Sequence, residues 1–126
     1  MLQSYDSNDK ILATNYIHGA INLTMTDYKG KIIVVVDSLF SEELAMEINR
    51  LCDDMRGDGW FVIKKSFLRS ASAQTVKDYI KTEFLKDKET IRSVFLLGHI
   101  AVPYSGNFAP DGHPDHLGAW PCDGYY

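Results

Sequence analysis

One run of residues constrains the fold more than any other. Lys31–Asp37 reads Lys-Ile-Ile-Val-Val-Val-Asp, a continuous β-branched stretch with no polar alternation. β-branched side chains favour extended backbone, and successive side chains of a strand point to opposite faces. A strand that is apolar on both sides needs an apolar layer above it and another below, as in parallel sheets flanked by helices. The following sequence offers such layers. Ser41 is the expected cap of a helix that carries Glu42 and Glu43 in its first turn, where the backbone dipole favours negative charge. Leu44, Ala45, Ile48, Leu51, Cys52 and Met55 then recur at helical spacing, and Gly57 and Gly59 end the helix. Trp60–Lys64 is the expected second strand. Ser72 is the expected cap of a second helix with Val76, Tyr79, Ile80 and Phe84 on its buried face, and Ser93–Gly98 is the expected third strand.

This strand-helix-strand-helix-strand series implies parallel strands joined by right-handed crossovers. The simplest result is an α/β three-layer sandwich with sheet order 2-1-3 and helices on both faces. Residues 30–126 form that domain. Residues 1–29 are an N-terminal extension or edge strand, with loose alternation over Asn15–Met25. In such sheets ligands bind beyond the carboxyl ends of the strands, where the strand order switches. The residues delivered there are Asp37 and Ser38 from the first strand, and Gly98 and His99 from the third.

Composition narrows the partners. The chain has 126 residues, 13 basic and 17 acidic, for a formal charge of −4. That length suits one domain. The acidic balance, with no cluster of Lys and Arg, argues against nucleic acid or an anionic membrane as the main partner. The longest uncharged stretch, Ser93–Pro110, contains Gly98, Pro103, Gly106 and Asn107, which a bilayer-spanning helix does not accommodate together. The opening MLQSYDSNDK has no apolar core of a secretory signal. Cys52 and Cys122 make no disulfide framework, and Cys52 falls on the buried stripe of the first helix.

The chemistry-bearing residues gather at the other end. No Lys or Arg follows Arg92, whereas the segment from Ser93 onward holds all four prolines and three of the four histidines. After the third strand this segment reads as a long C-terminal loop over the rim of the sheet. Loops longer than about 12–15 residues in a compact domain are usually functional or disordered. Its densest part is Asp111-Gly112-His113-Pro114-Asp115-His116. Two imidazoles and two carboxylates within six residues are candidate metal ligands, and His99, Cys122 and Asp123 are candidates to complete a shell. Calcium is the expected ion if carboxylates and backbone carbonyls dominate. The competing reading is turn chemistry, with the Asp side chains capping loop amides and Pro114 interrupting the ligand set. Cys122 beside a loop histidine is a candidate thiol nucleophile of a small hydrolase. Asp37 either binds a cation or caps the turn that follows it. Asp58-Gly59 reads as a helix stop, and His18 as an ordinary histidine without companions. No glycine lies between the first strand and the first helix, so a phosphate-cradling loop is absent.

The run Ser93–Tyr126, SVFLLGHIAVPYSGNFAPDGHPDHLGAWPCDGYY, resembles a segment of large secreted bacterial proteins related to the gingipain-type cysteine peptidases. GKIIVVVDS and GDGWFVIKK upstream fit the same pattern, so the resemblance covers roughly Gly30–Tyr126. It implies a caspase-like sandwich, related in layout to flavodoxin-like sheets, in which the third strand leads through Leu97-Gly98-His99 into a substrate-side loop. It also implies an extracellular location. Asp123 matches an Asp-x-x-Tyr element, and in arginine-specific members that Asp lines the pocket for a basic side chain. The resemblance thus points to Asp123, with His99 and Asp37, as substrate-binding residues and to a basic peptide as ligand. In that family the catalytic His and Cys lie downstream of this element. No residue here corresponds to either, and Cys122 is not the nucleophile. The expectation is the N-terminal part of a peptidase-related domain, non-catalytic by itself, with the remainder of a larger polypeptide or a second copy of the chain as partner. A calcium-, glycan- or peptide-binding module using residues 99–123 is the alternative.

Overall fold

The computed structural model describes residues 2–15 and 27–126. Strands β1 (Leu2–Tyr5) and β2 (Ile11–Asn15) form an antiparallel hairpin with its own two-stranded ladder. Most of the Asn15–Met25 stretch lies outside the described residues.

The centre of the molecule is β3 (Gly30–Asp37). It pairs in parallel with β4 (Trp60–Phe67) on one side and β5 (Ile91–Leu97) on the other, giving the order β4-β3-β5. Val34 stands opposite both Lys64 and Phe95. The β-branched run of β3 divides its side chains between two cores. Ile32, Val34 and Val36 pack against Ile48 and Cys52 of helix α2 (Ala45–Gly57). Ile33 and Val35 pack on the opposite face against Val76 and Ile80 of helix α3 (Ala73–Lys86). A helix therefore covers each face of the central strand, which is why no polar side chain stands between Lys31 and Asp37.

The helix starts follow from local hydrogen bonding. Ser72 Oγ accepts from the Thr75 amide at 3.1 Å and starts α3. Ser72→Ala should lower stability by about 1 kcal/mol, the usual worth of such a cap, measured by urea unfolding with an unchanged m value. Ser41 is not a cap, contrary to the expectation from sequence. The carboxylate of Asp37 captures the Leu39 amide at 3.0 Å and starts a short helix, α1 (Ser38–Glu43), several residues earlier. Ser41 lies inside α1, and its hydroxyl accepts from Ser66 at 2.8 Å. Leu44 leaves helical geometry between α1 and α2, so it is exposed and not part of the buried stripe.

The C-terminal segment is not a long loop. Tyr104–Phe108 (β6) and Gly118–Pro121 (β7) pair as an antiparallel hairpin, and Pro114–His116 forms a 3-10 turn in the connection. Its Tyr104, Phe108, Leu117 and Trp120 stay exposed, so the segment forms an arm of its own and not a buried cover over the sheet. Among the described residues no helix is long and apolar enough to cross a membrane.

Candidate functional site

Two groups of polar side chains stand out. The first lies at the carboxyl ends of β3 and β5. Asp37 is fully buried, and both of its carboxylate oxygens are engaged. One accepts from the Leu39 amide. The other accepts from Arg69 Nε at 2.6 Å and from the His99 amide at 3.2 Å. Burial alone pushes this carboxyl up. The Arg69 guanidinium and the two amides outweigh it and hold Asp37 below the ordinary 3.8. The Arg69 guanidinium also stacks over the Phe40 ring at 5.5 Å, and the Phe40 and His99 rings lie 5.9 Å apart. Asp37 thus joins α1, the turn after β4 and the turn after β5. A cationic ligand at Asp37 has to displace Arg69.

Gly98 lets the chain pass this carboxylate. Its φ is +88°, and a Cβ there would stand 2.6 Å from Asp37 Cβ and 2.7 Å from Phe40 Cδ2. Sequence reasoning placed Asp37, Gly98 and His99 at this rim and missed Arg69. The available signal was register. Phe67 stands opposite Asp37, so Arg69 falls just beyond the same rim, and a buried carboxylate requires a cation.

The second group is the tip of the β6–β7 arm. Asp111 Oδ1 accepts from the His113 amide at 3.1 Å, closing an Asx turn around Gly112, whose φ is +80°. Pro114 opens the 3-10 turn, and the His116 amide donates to the His113 carbonyl at 3.0 Å. Side chains three apart eclipse in a 3-10 turn, so His113 and His116 fall on one side. Their Nδ1 atoms lie 3.2 and 2.5 Å from Asp111 Oδ2. The hydrogen bond from His116 and the His113 amide together hold Asp111 below the ordinary carboxylate value. Asp115 stands apart from the three. Its carboxylate is 3.8 Å from His116 Nε2, on the far side of the ring. Pro114, which reads from sequence as an interruption between candidate ligands, opens the turn that brings His113 and His116 to one side.

The remaining candidates are dispersed. Asp123 is exposed and begins a 3-10 turn that ends in two anchored tyrosines. Tyr125 donates to Gln74 at 2.6 Å and lies under Lys77, while Tyr126 packs into the α3-side core and donates to the Ala101 carbonyl. Among the described residues no hydrogen bond or ion pair joins Asp123 to Asp37 or His99, and none joins Cys122 to a histidine. Cys52 is buried in the α2-side core. A groove of about 350 Å³ lies away from the rim, on the flank between α3 and β5, with Phe84, Ile91, Val94 and Tyr126 in its wall.

Comparisons of the chain with protein-family models, with curated proteins and with solved structures gave no match.

Proposed function

We propose that residues 30–126 are the N-terminal part of a secreted, gingipain-type peptidase-related domain with a caspase-like layout, and that these residues do not hydrolyse peptides by themselves. The observation that carries this reading is the apolar surface along the outer strand β5, which continues into a groove beside α3. Natural sheets guard their edges with charge, especially Lys. The outer strand β4 follows that rule. Lys64 and Lys65 are exposed, and Lys31 of β3 stands over the Phe61 ring, itself 57% exposed, at 5.4 Å. The other outer strand, β5, carries only Arg92, near its start, and the rest of it is uncharged. Val94 and Phe95, on opposite faces, are each 37% exposed. The apolar groove beside Val94 continues this uncovered surface, and Phe84 at the end of α3 overhangs it. Such an edge suits a strand with a further neighbour and a further helix, supplied by more of the same polypeptide or by a second copy.

Within this reading Asp123 is the residue for a substrate's basic side chain. Its carboxylate is solvent-accessible, and the tyrosine anchors fix the turn that presents it. The test has two arms. Arginyl and lysyl peptide substrates should be hydrolysed no faster than in the blank. The coding sequence should continue past Tyr126 into one strand that ends in His and another that ends in Cys. Turnover lost in Cys122→Ser would contradict the first arm, and a stop codon directly after Tyr126 the second.

A further inference from the structure

We propose that Asp111, His113 and His116 form a binding site for one divalent d-block cation, with zinc as the natural representative. This inference is independent of the peptidase-related reading, since it concerns only the tip of the β6–β7 arm.

Three features support it. The first is convergence. One ligand atom from each residue lies within 4.8 Å of the other two, a spacing that a single ion spans. With metal–ligand bonds of about 2.0–2.2 Å, tetrahedral donors stand roughly 3.3–3.6 Å apart. The His113–Asp111 separation of 3.2 Å is close to this, and the His116–Asp111 separation of 2.5 Å opens to it by an outward turn of the exposed His116 ring, a shift of about 1 Å.

The second is donor chemistry. Two imidazole nitrogens and one carboxylate oxygen suit zinc and its neighbours, whereas calcium takes six to eight oxygens. This donor set replaces the calcium expected from sequence. Both imidazoles turn Nδ1 toward the same Asp111 oxygen, so a cation replaces two N–H donors at one point. Asp115, near His116 Nε2, favours a proton on that distal nitrogen and supports His116 as a ligand through Nδ1.

The third is preorganisation by the backbone. The Asx turn at Asp111, the positive φ of Gly112 and the Pro114-led 3-10 turn fix the three Cα positions from within six residues. Little chain entropy is left to lose on binding. All three side chains are exposed, which leaves the remaining coordination position to water and makes the site open.

The experiment titrates the full chain with zinc in a buffer free of chelators, followed by calorimetry, and with cobalt, followed by visible absorption. The expected result is one ion per chain and a cobalt spectrum of low coordination number. His113→Ala, His116→Ala and Asp111→Asn each weaken binding more than about 10-fold, since losing a direct donor exceeds the usual effect of losing a supporting residue. Asp111→Asn retains an oxygen for the Asx turn, which separates loss of the ligand from loss of the turn. Cys122→Ser binds as the parent does, and millimolar calcium does not displace zinc. Absence of binding would overturn the proposal. So would binding that survives the histidine variants, binding lost in Cys122→Ser, or displacement by calcium.

Discussion

Asp37→Ala is expected to lower the melting temperature by roughly 10 °C or more at neutral pH, because it removes a fully buried carboxylate that accepts three hydrogen bonds, and bonds to a charged group contribute about 1.5–3 kcal/mol each. The change removes the cap of α1 and leaves the Arg69 guanidinium and the amides of Leu39 and His99 without their acceptor. Arg69→Ala acts on the same unit by leaving a buried carboxylate without its cation. The double variant should therefore be less destabilised than the sum of the two single changes, and a thermal-melt double-mutant cycle measures that coupling. The pH dependence has a definite sign. Asp37, Asp87 and Asp111 all have folded pKa values below the ordinary 3.8. Their contributions are fully present above that value and disappear as pH falls through the lower, folded values. The melting temperature of the parent should thus fall steeply below about pH 4. An Asp37→Asn variant should start lower at neutral pH, and its deficit should shrink as the solution becomes more acidic. A constant gap between the two pH profiles would show that ionisation of Asp37 does not stabilise the fold.

Gly98→Ala is the second change with a large expected effect. The substitution meets two costs at once, a left-handed backbone region unfavourable to L side chains and a Cβ placed against Asp37 Cβ and the Phe40 ring. Together these amount to roughly 2–5 kcal/mol, a large fraction of the ~5–15 kcal/mol that holds a domain of ordinary stability together. Chemical denaturation checks the figure. Gly106→Ala is the control. Gly106 also has positive φ, at +79°, but a Cβ there would meet nothing within 4 Å. Equal losses at the two positions would mean that backbone conformation alone matters and that the close passage of the turn after β5 beside Asp37 does not.

What could be read from the residues follows a physical division. The central strand was legible because Ile32–Val36 is apolar on both faces, and such a strand has few stable environments besides the middle of a layered sheet. Ser72 was legible as a cap because nothing competes with it for the first amides of α3. Ser41 failed because a competing acceptor, Asp37, lies four residues earlier, and its burial depends on Arg69, distant in sequence. The arm failed for a related reason. Tyr104–Phe108 contains Ser105, Gly106 and Asn107, which lack intrinsic preference for strands, and its pairing with β7 is interrupted by a register shift. At the tip, residue types alone nominated Asp111, His113, Asp115 and His116, but which of them converge depends on the eclipsed spacing of a 3-10 turn, which leaves Asp115 apart.

The edge of β5 is apolar at Val94 and Phe95 and suits a further neighbour. Static light scattering across a concentration series tests this directly, comparing the parent chain with Phe95→Lys, which places a Lys in the middle of β5 as Lys64 and Lys65 stand in β4. The expected result is concentration-dependent association of the parent and a monomer at every concentration for the variant, with matching circular dichroism spectra. A parent chain that stays monomeric throughout, or a Phe95→Lys variant that associates as the parent does, would contradict the claim that this edge is built to be covered.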